Sequence, residues 1–225
     1  MKPRKSLCFI ATVQYSVDAF LHNHLKELSK FYKITVITNN KNKNKNFITG
    51  KIKGITVIDV RFSRKINFFN DIDCLIRLLI IFLTKKFDVV TTITPKAGLL
   101  GIFAAFLTFI PIRIHCYTGQ IWATKFGWKR SFFKIIDKLV NYMTTYNIVD
   151  GKSQYEFLLR ENVISKKTSF VFANGSICGV DLLRFKPNER IRLQLREKYN
   201  IPKSAFVFLF VGRLNNEKGI NDLLS

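Results

Sequence analysis

The sequence predicts an α/β protein with a doubly wound parallel sheet, and two observations predict it. Apolar runs of strand length, dense in Val, Ile and Phe, recur along the chain, and segments with helical periodicity or helical start signals lie between them. Strands apolar on both faces need cover on both faces, which helices crossing between parallel strands supply.

LCFIATV (7–13) reads as the first buried strand, and Leu21, Leu25, Leu28 and Tyr32 then mark one face of a helix. ITVIT (34–38) is the second strand, KNKNKN (41–46) a charged loop, and ITVIDV (55–60) the third strand. DIDCLIRLLIIFLTKK (71–86) reads as a largely buried helix and FDVVTTI (87–93) as the fourth strand. Thr94 as N-cap and Pro95 at the first helical position start the next helix. IRIHCY (112–117) is a strand, 129–143 a helix, YNIVD (146–150) a strand, 153–161 a helix and TSFVFA (168–173) a strand. Near the end, FVFLFVG reads as one more strand running into Gly212, with a helix beginning after Gly219.

At 225 residues and 48% hydrophobic content the chain is long enough for a substantial core. Cys8, Cys74, Cys116 and Cys178 form no metal or redox spacing, and they read as reduced thiols in a cytoplasmic protein. The apolar stretch after the basic start is only about seven residues, too short for a secretion signal. Gly98 to Ile114 falls short of the roughly 20 residues a bilayer span needs and is broken by Pro111. The net charge of +22 favours polyanions such as nucleic acid, anionic lipid headgroups or phosphate-bearing substrates. Lys, Asn, Ile and Phe are abundant together, as an AT-rich gene also produces, so charge alone selects no partner.

Ligands of such sheets bind outside the carboxyl ends of the strands, so the loops there are where chemistry is sought. QYSVDAF after the first strand lacks a glycine-rich fingerprint, which disfavours a dinucleotide fold of the GxGxxG type. TPKAG places Lys96 beside free helix amides, either an anion cradle or a solvated cation at an ordinary helix start. In TGQIWATKFGWKRSFF, Trp122, Phe126 and Trp128 interleave with Lys125, Lys129 and Arg130. That mixture suits a membrane interface or a stacked, charged ligand, or else rings packed on the domain with charges facing water. Asn174, Gly175 and Gly179 permit tight turns, near a ligand or not. In FVGRLNNEKGI, Gly212, Arg213 and Lys218 could converge with helix amides on a phosphate, or could be a strand end with two solvated cations.

GRLNNEKGINDLL, with GVDLLRFKP upstream, resembles the junction and donor-site motifs of GT-B fold glycosyltransferases of family 4. TPKAGLLGIFAAF and RIHCYTGQIWATKFGWKR resemble the bacterial members that build O-antigen, capsule or lipid-linked oligosaccharides. The resemblance implies two Rossmann-like domains facing a cleft, retention of anomeric configuration, no metal and no cofactor beyond the nucleotide-sugar substrate. It implies an acceptor domain over 1–180, a connection over 181–200 and the start of a donor domain over 201–225. Arg213 and Lys218, with Gly212, would hold the donor diphosphate and stabilise the leaving nucleotide. Ser16, Asp18, Lys96, Gly119 and Gln120 are the candidates for the acceptor side, which would carry a polyprenyl-diphosphate-linked or other glycan. The family often has His-Gly where this chain has Thr118-Gly119; Thr118 cannot replace an imidazole as base or cation and would make polar contact with the sugar or acceptor, while His115, the other catalytic candidate, is as a lone strand histidine more often core than catalytic.

A complete second domain needs roughly 100 residues or more, so the chain is expected to be incomplete and inactive by itself. The expected partners are a nucleotide-sugar, a lipid-linked acceptor and the anionic inner face of the plasma membrane. A non-catalytic acceptor-domain relic is the first alternative. A basic nucleic-acid-binding protein is the second, disfavoured because no recognised module is present and the cations lie in unrelated loops.

Overall fold

The computed structural model describes residues 4–40, 47–63, 66–212, 214 and 219–224. It divides into two compact units, Met1–Gly179 and Val180–Ser225.

The first unit is a seven-stranded, wholly parallel sheet in the order β3-β2-β1-β4-β5-β6-β7. Its strands are β1 (Ser6–Val13), β2 (Lys33–Asn39), β3 (Ile55–Asp59), β4 (Val89–Thr92), β5 (Ile112–Tyr117), β6 (Tyr146–Val149) and β7 (Ser169–Phe170). The helices between them are α1 (Gln14–Leu28), α2 (Phe68–Thr84), α3 (Pro95–Leu107), α4 (Gly127–Met143) and α5 (Lys152–Arg160). The chain builds outward from β1 in one direction and then, from β4, in the other, so the switch point lies between β1 and β4. This is the doubly wound architecture the apolar runs predict.

Alternate residues of each strand feed opposite faces. Cys8, Ile10 and Val90 pack with Cys74, Leu78 and Phe82 of α2 and with Ala97, Ala104 and Ala105 of α3. Leu7, Phe9 and Val36 point the other way, onto Val17, Leu21 and Leu25 of α1. The four cysteines are free thiols, and Cys8, Cys74 and Cys116 are buried.

Boundaries shift where local hydrogen bonding decides them. Helix α2 begins three residues earlier than its charge pattern suggests, because the Asn67 side chain accepts from the Asn70 amide at 3.1 Å and caps it. Tyr32 lies beyond α1 and packs onto the core from the turn. Strand β7 is two residues rather than six, since the chain turns away through Ala173 and Gly175, both at positive φ. Gly175 is required there: a Cβ would sit 3.0 Å from the Asp150 carbonyl oxygen. Thr94 holds the N-cap position of α3, yet its hydroxyl does not cap that helix; it accepts from the Thr12 amide at 2.9 Å and meets the Thr12 hydroxyl at 2.5 Å.

In the second unit, α6 (Glu189–Lys198) is capped by Asn188, whose side chain accepts from the Ile191 amide at 3.1 Å. Arg196 donates to the carbonyls of Pro202, Lys203 and Ala205, holding the following segment. Residues 206–211, read as a strand, pair with no other strand among the described residues, and Phe206, Phe208 and Val211 are exposed. A ladder requires a neighbour, and this unit contains no other strand among its described residues. A short helix, α7 (Ile220–Leu224), follows.

Helix α3 rests against the sheet through glycine. A Cβ on Gly98 would fall 2.3 Å from Cε1 of His115, a ring held on β5 by a 2.8 Å hydrogen bond to Thr92. Gly98→Ala is therefore expected to destabilise the protein by about 1–3 kcal/mol in urea unfolding, whereas Gly54→Ala, with open space around the Cβ, is expected to cost only the strain of its positive φ.

Candidate functional site

The carboxyl ends of β4 and β5 form a small pocket lined by Ile93, Pro95, His115, Cys116, Tyr117, Thr118, Gly119 and Asp137. Pro95 comes from the start of α3, Asp137 from the middle of α4, and the rest from the two strands and the turn after β5. Gly119 has a φ of 149° with open space on its Cβ side, so the turn presents backbone rather than side chain.

His115 belongs to the floor of this pocket. It is 4% exposed, its Nδ1 lies 2.8 Å from the Thr92 hydroxyl, and its ring meets that of Tyr117 edge to face at 4.6 Å. Burial lowers its pKa to about 4, which leaves the ring neutral at ordinary pH. Thr118 lines the same pocket and is partly exposed. Gln120 follows, its Oε1 accepting from Gln154 of α5 at 3.2 Å, while its Nε2 is buried without an acceptor among the described residues. A buried amide donor without a partner is uncommon in folded proteins.

The loop bearing these groups is anchored by Trp122, which is 1% exposed. Its indole donates to Asp137 Oδ2 at 2.7 Å, its ring stacks on Phe157, and the Arg130 guanidinium lies 5.1 Å above it. Arg130 also donates to the Ala123 carbonyl at 3.2 Å and to Glu161 at 2.7 Å, and Lys134 donates to the other Glu161 oxygen. Those two cations, Lys134 foremost, hold the Glu161 carboxyl below its usual range. Of the interleaved aromatics, Trp122 is thus core, while Phe126 and Trp128 are 89% and 74% exposed.

The other candidates are placed elsewhere. Ser16 lies in the first turn of α1, at the end of β1. Asp18 is a clasp: its carboxylate accepts from the amides of Ile48 and Thr49 at 3.2 and 2.8 Å and from the Thr49 hydroxyl. Lys96 donates to both oxygens of Asp71 on α2 at 2.7 and 3.1 Å in a largely shielded ion pair. The structure thus brings His115, Thr118 and Gly119 to one pocket with Gln120 next in the turn, while Lys96 ties α3 to α2 and Asp18 ties α1 to the 48–49 backbone. Gly212 is described and exposed in the second unit. Arg213 and Lys218 lie outside the described residues. Among the described residues, no group of three or more His, Cys, Asp or Glu side chains could hold a metal ion.

Asp137 is the site group the sequence reading passes over. It is the sole acid of α4 and sits one turn from Phe133 and nearly one from Val140, on the buried face, and that position is the signal for it. Burial raises its carboxyl to about 6, only partly offset by the Trp122 hydrogen bond.

No family model matches the chain. It is 30% identical over 166 residues to the capsular polysaccharide biosynthesis glycosyltransferase CapM of Staphylococcus aureus, covering 73% of this chain and 43% of that protein. It is 30% identical over 157 residues to the UDP-Gal:alpha-D-GlcNAc-diphosphoundecaprenol alpha-1,3-galactosyltransferase of Escherichia coli, covering 69% and 39%. Its homologues are glycosyltransferases. The chain spans about two-fifths of the length of these relatives. Among solved structures, a sucrose-phosphate synthase from Thermosynechococcus elongatus superposes with a TM-score of 0.72 at 17% identity, over 98% of this chain and 59% of that one. HepE of Anabaena, solved with UDP and glucose, matches with a TM-score of 0.59 at 14% identity, over 88% and 50%. The α/β Rossmann-like fold is thus the one found in GT-B glycosyltransferases. A UDP-N-acetylglucosamine 2-epimerase from Rickettsia bellii shares it too, at a TM-score of 0.65 and 16% identity over 89% and 52%, so at these identities the fold does not select the reaction.

Asp137 makes stability depend on pH. Its folded pKa lies above the ordinary value, so the cost of burying the ionised group is absent in acid, grows as pH rises toward 6 and is full above that. Asp137→Asn keeps an acceptor for Trp122 and removes the charge. Relative to the wild type, the variant is expected to gain about 1 kcal/mol more stability at about pH 8 than at about pH 5 in urea titrations.

Proposed function

We propose that this chain is the acceptor-side part of a retaining, family 4 glycosyltransferase of bacterial surface-polysaccharide assembly. The first unit holds a polyprenyl-diphosphate-linked saccharide at the carboxyl ends of β4 and β5, and Gly212, Arg213 and Lys218 contribute to binding a nucleotide-sugar. The observation that carries this is the turn after β5, where Thr118 and the open backbone of Gly119 line the pocket and the next residue, Gln120, keeps a buried amide nitrogen without an acceptor among the described residues. Uncharged hydroxyl and amide groups in that arrangement suit sugar hydroxyls. The names of the two relatives, one in capsule synthesis and one acting on a diphosphoundecaprenol-linked GlcNAc, support that choice of acceptor.

In this reading the chain's chemistry is mainly positioning. Thr118 and Gln120 orient the sugar, and the neutral His115 beneath them fixes the turn through Thr92 and Tyr117 rather than exchanging protons with solvent. Arg213 and Lys218 stabilise charge on the departing nucleotide diphosphate. The nucleotide-sugar enters this scheme as the substrate that supplies the sugar.

The full chain is expected to bind GlcNAc-diphosphoundecaprenol in detergent micelles above the level of empty micelles. Thr118→Ala and Gln120→Ala are each expected to weaken binding about fivefold, the worth of one hydrogen bond. Acceptor binding indifferent to both substitutions would refute the site. Tight, salt-sensitive duplex binding without acceptor binding would instead favour a nucleic-acid partner.

A further inference from the structure

We propose that Asp137 is a further residue of the acceptor site, whose free carboxylate oxygen accepts a hydrogen bond from one hydroxyl of the acceptor's sugar. Asp137 lines the pocket at the ends of β4 and β5 together with Tyr117, Thr118 and Gly119. Its Oδ2 is taken by the Trp122 indole at 2.7 Å, while its Oδ1 has no hydrogen-bond partner among the described residues and is not sealed from solvent. Trp122 is itself fixed, buried and stacked on Phe157. A carboxylate held by one oxygen and open at the other is preorganised for a donor. Anchoring Trp122 needs only an acceptor, which an amide supplies without the cost of a buried charge, so the anchor alone leaves the acid unexplained.

Among the described residues no cation pairs with this carboxyl. Arg130 and Lys134 lie over the Trp122 ring, 5.1 and 5.9 Å from its centroid, and both bind Glu161. Lys138, next in the helix, is exposed. The groups that β5 brings to the pocket are neutral at ordinary pH: burial lowers His115 to about 4, raises the Cys116 thiol to about 12 and lifts the Tyr117 phenol above its usual range. That phenol donates to the Asp137 backbone carbonyl at 3.2 Å. Ile93 and Pro95 add apolar wall from the end of β4 and the start of α3. With its carboxyl raised to about 6 by burial, Asp137 is the described lining residue whose charge changes in the neutral range.

This chemistry orients the ligand. A carboxylate oxygen attracts an O–H donor and repels phosphate, so the saccharide end of the acceptor enters the pocket and its diphosphate points away. An analogue without the hydroxyl would leave the carboxylate unpaired, which is how a polar pocket rejects a ligand lacking one group. Hydrogen bonds to an ionised acceptor are stronger than those to a neutral one, so the acceptor binds the ionised form of Asp137 preferentially. Affinity is therefore weaker in acid, rises as pH passes about 6 and is full above that, and binding near that pH releases a proton. The role given to Asp137 rests on the reading that a saccharide acceptor binds at these strand ends, and it names the group that orients the sugar there.

Calorimetry of the full chain with GlcNAc-diphosphoundecaprenol in detergent micelles, corrected for empty micelles, tests this. The wild type is expected to bind about fivefold more tightly at about pH 8 than at about pH 5. At about pH 6 its binding heat is expected to change with the ionisation enthalpy of the buffer, the mark of a released proton. Asp137→Asn keeps an acceptor for Trp122 but offers the pocket an amide donor, and it is expected to bind about tenfold more weakly at about pH 8, with neither dependence. Thr118→Ala is expected to weaken binding while keeping both. An Asn variant that binds like the wild type at about pH 8, or that retains the pH and buffer dependence, would overturn the proposal and leave the acceptor reading standing. So would a wild type that binds with neither dependence, a result that needs no variant. A wild type that does not bind the acceptor would overturn that reading and the role of Asp137 with it.

Discussion

The close approach of α3 to the sheet is the constraint on which the rest of the first unit depends. Gly98 lies against His115, and a Cβ on Gly101 would fall 2.9 Å from both Ile10 and Thr92. Ala97, Ala104 and Ala105 complete a small-residue face buried on β1 and β4. Larger side chains there would push the helix off the strands, and interiors packed at crystal-like density do not absorb such a shift cheaply. This depth puts Pro95 in the pocket wall, lets the Thr94 hydroxyl reach Thr12 across the switch point, and brings Phe106 to Tyr142.

The same packing fixes where the strand ends and the outer flanks of the helices lie. The turn after β5 is steadied by Trp122, Asp137, Arg130 and Glu161. The outer flanks of α2 and α4 face away from the sheet, their apolar stripes rimmed by lysine. The acids of α2 and α4 are paired or turned inward: Asp73 with Arg77, Asp71 with Lys96 and Asp137 on Trp122.

The strands were legible because burial on both faces leaves uninterrupted apolar runs, and IRIHCY matches β5 residue for residue. Side-chain direction was much less so. Trp122, Phe126 and Trp128 look alike in sequence, yet one is core and two are exposed, since only a partner distant in the chain, Phe157, distinguishes them. Lys96 looks like an anion ligand until Asp71, on another helix, is brought beside it. Asp18 looks like a ligand at a strand end until the 48–49 backbone folds onto it. Residues 206–211 carry strand chemistry, but a strand is defined by its neighbours, and sequence periodicity reports only half of that pairing. Conversely, Asp137 reads in sequence as a solvated charge in a basic helix, although its spacing from Phe133 and Val140 puts it inside.

The central claim is that the carboxyl ends of β4 and β5 receive the saccharide of a lipid-linked acceptor. Amide hydrogen exchange of the full chain, with and without GlcNAc-diphosphoundecaprenol in matched micelles, tests it most directly. The account predicts added protection in peptides spanning Thr118 to Gln120 and Thr94 to Lys96, with none over β2 and β3. Protection confined to other loops, or absent at the turn after β5 while the acceptor is bound, would contradict it.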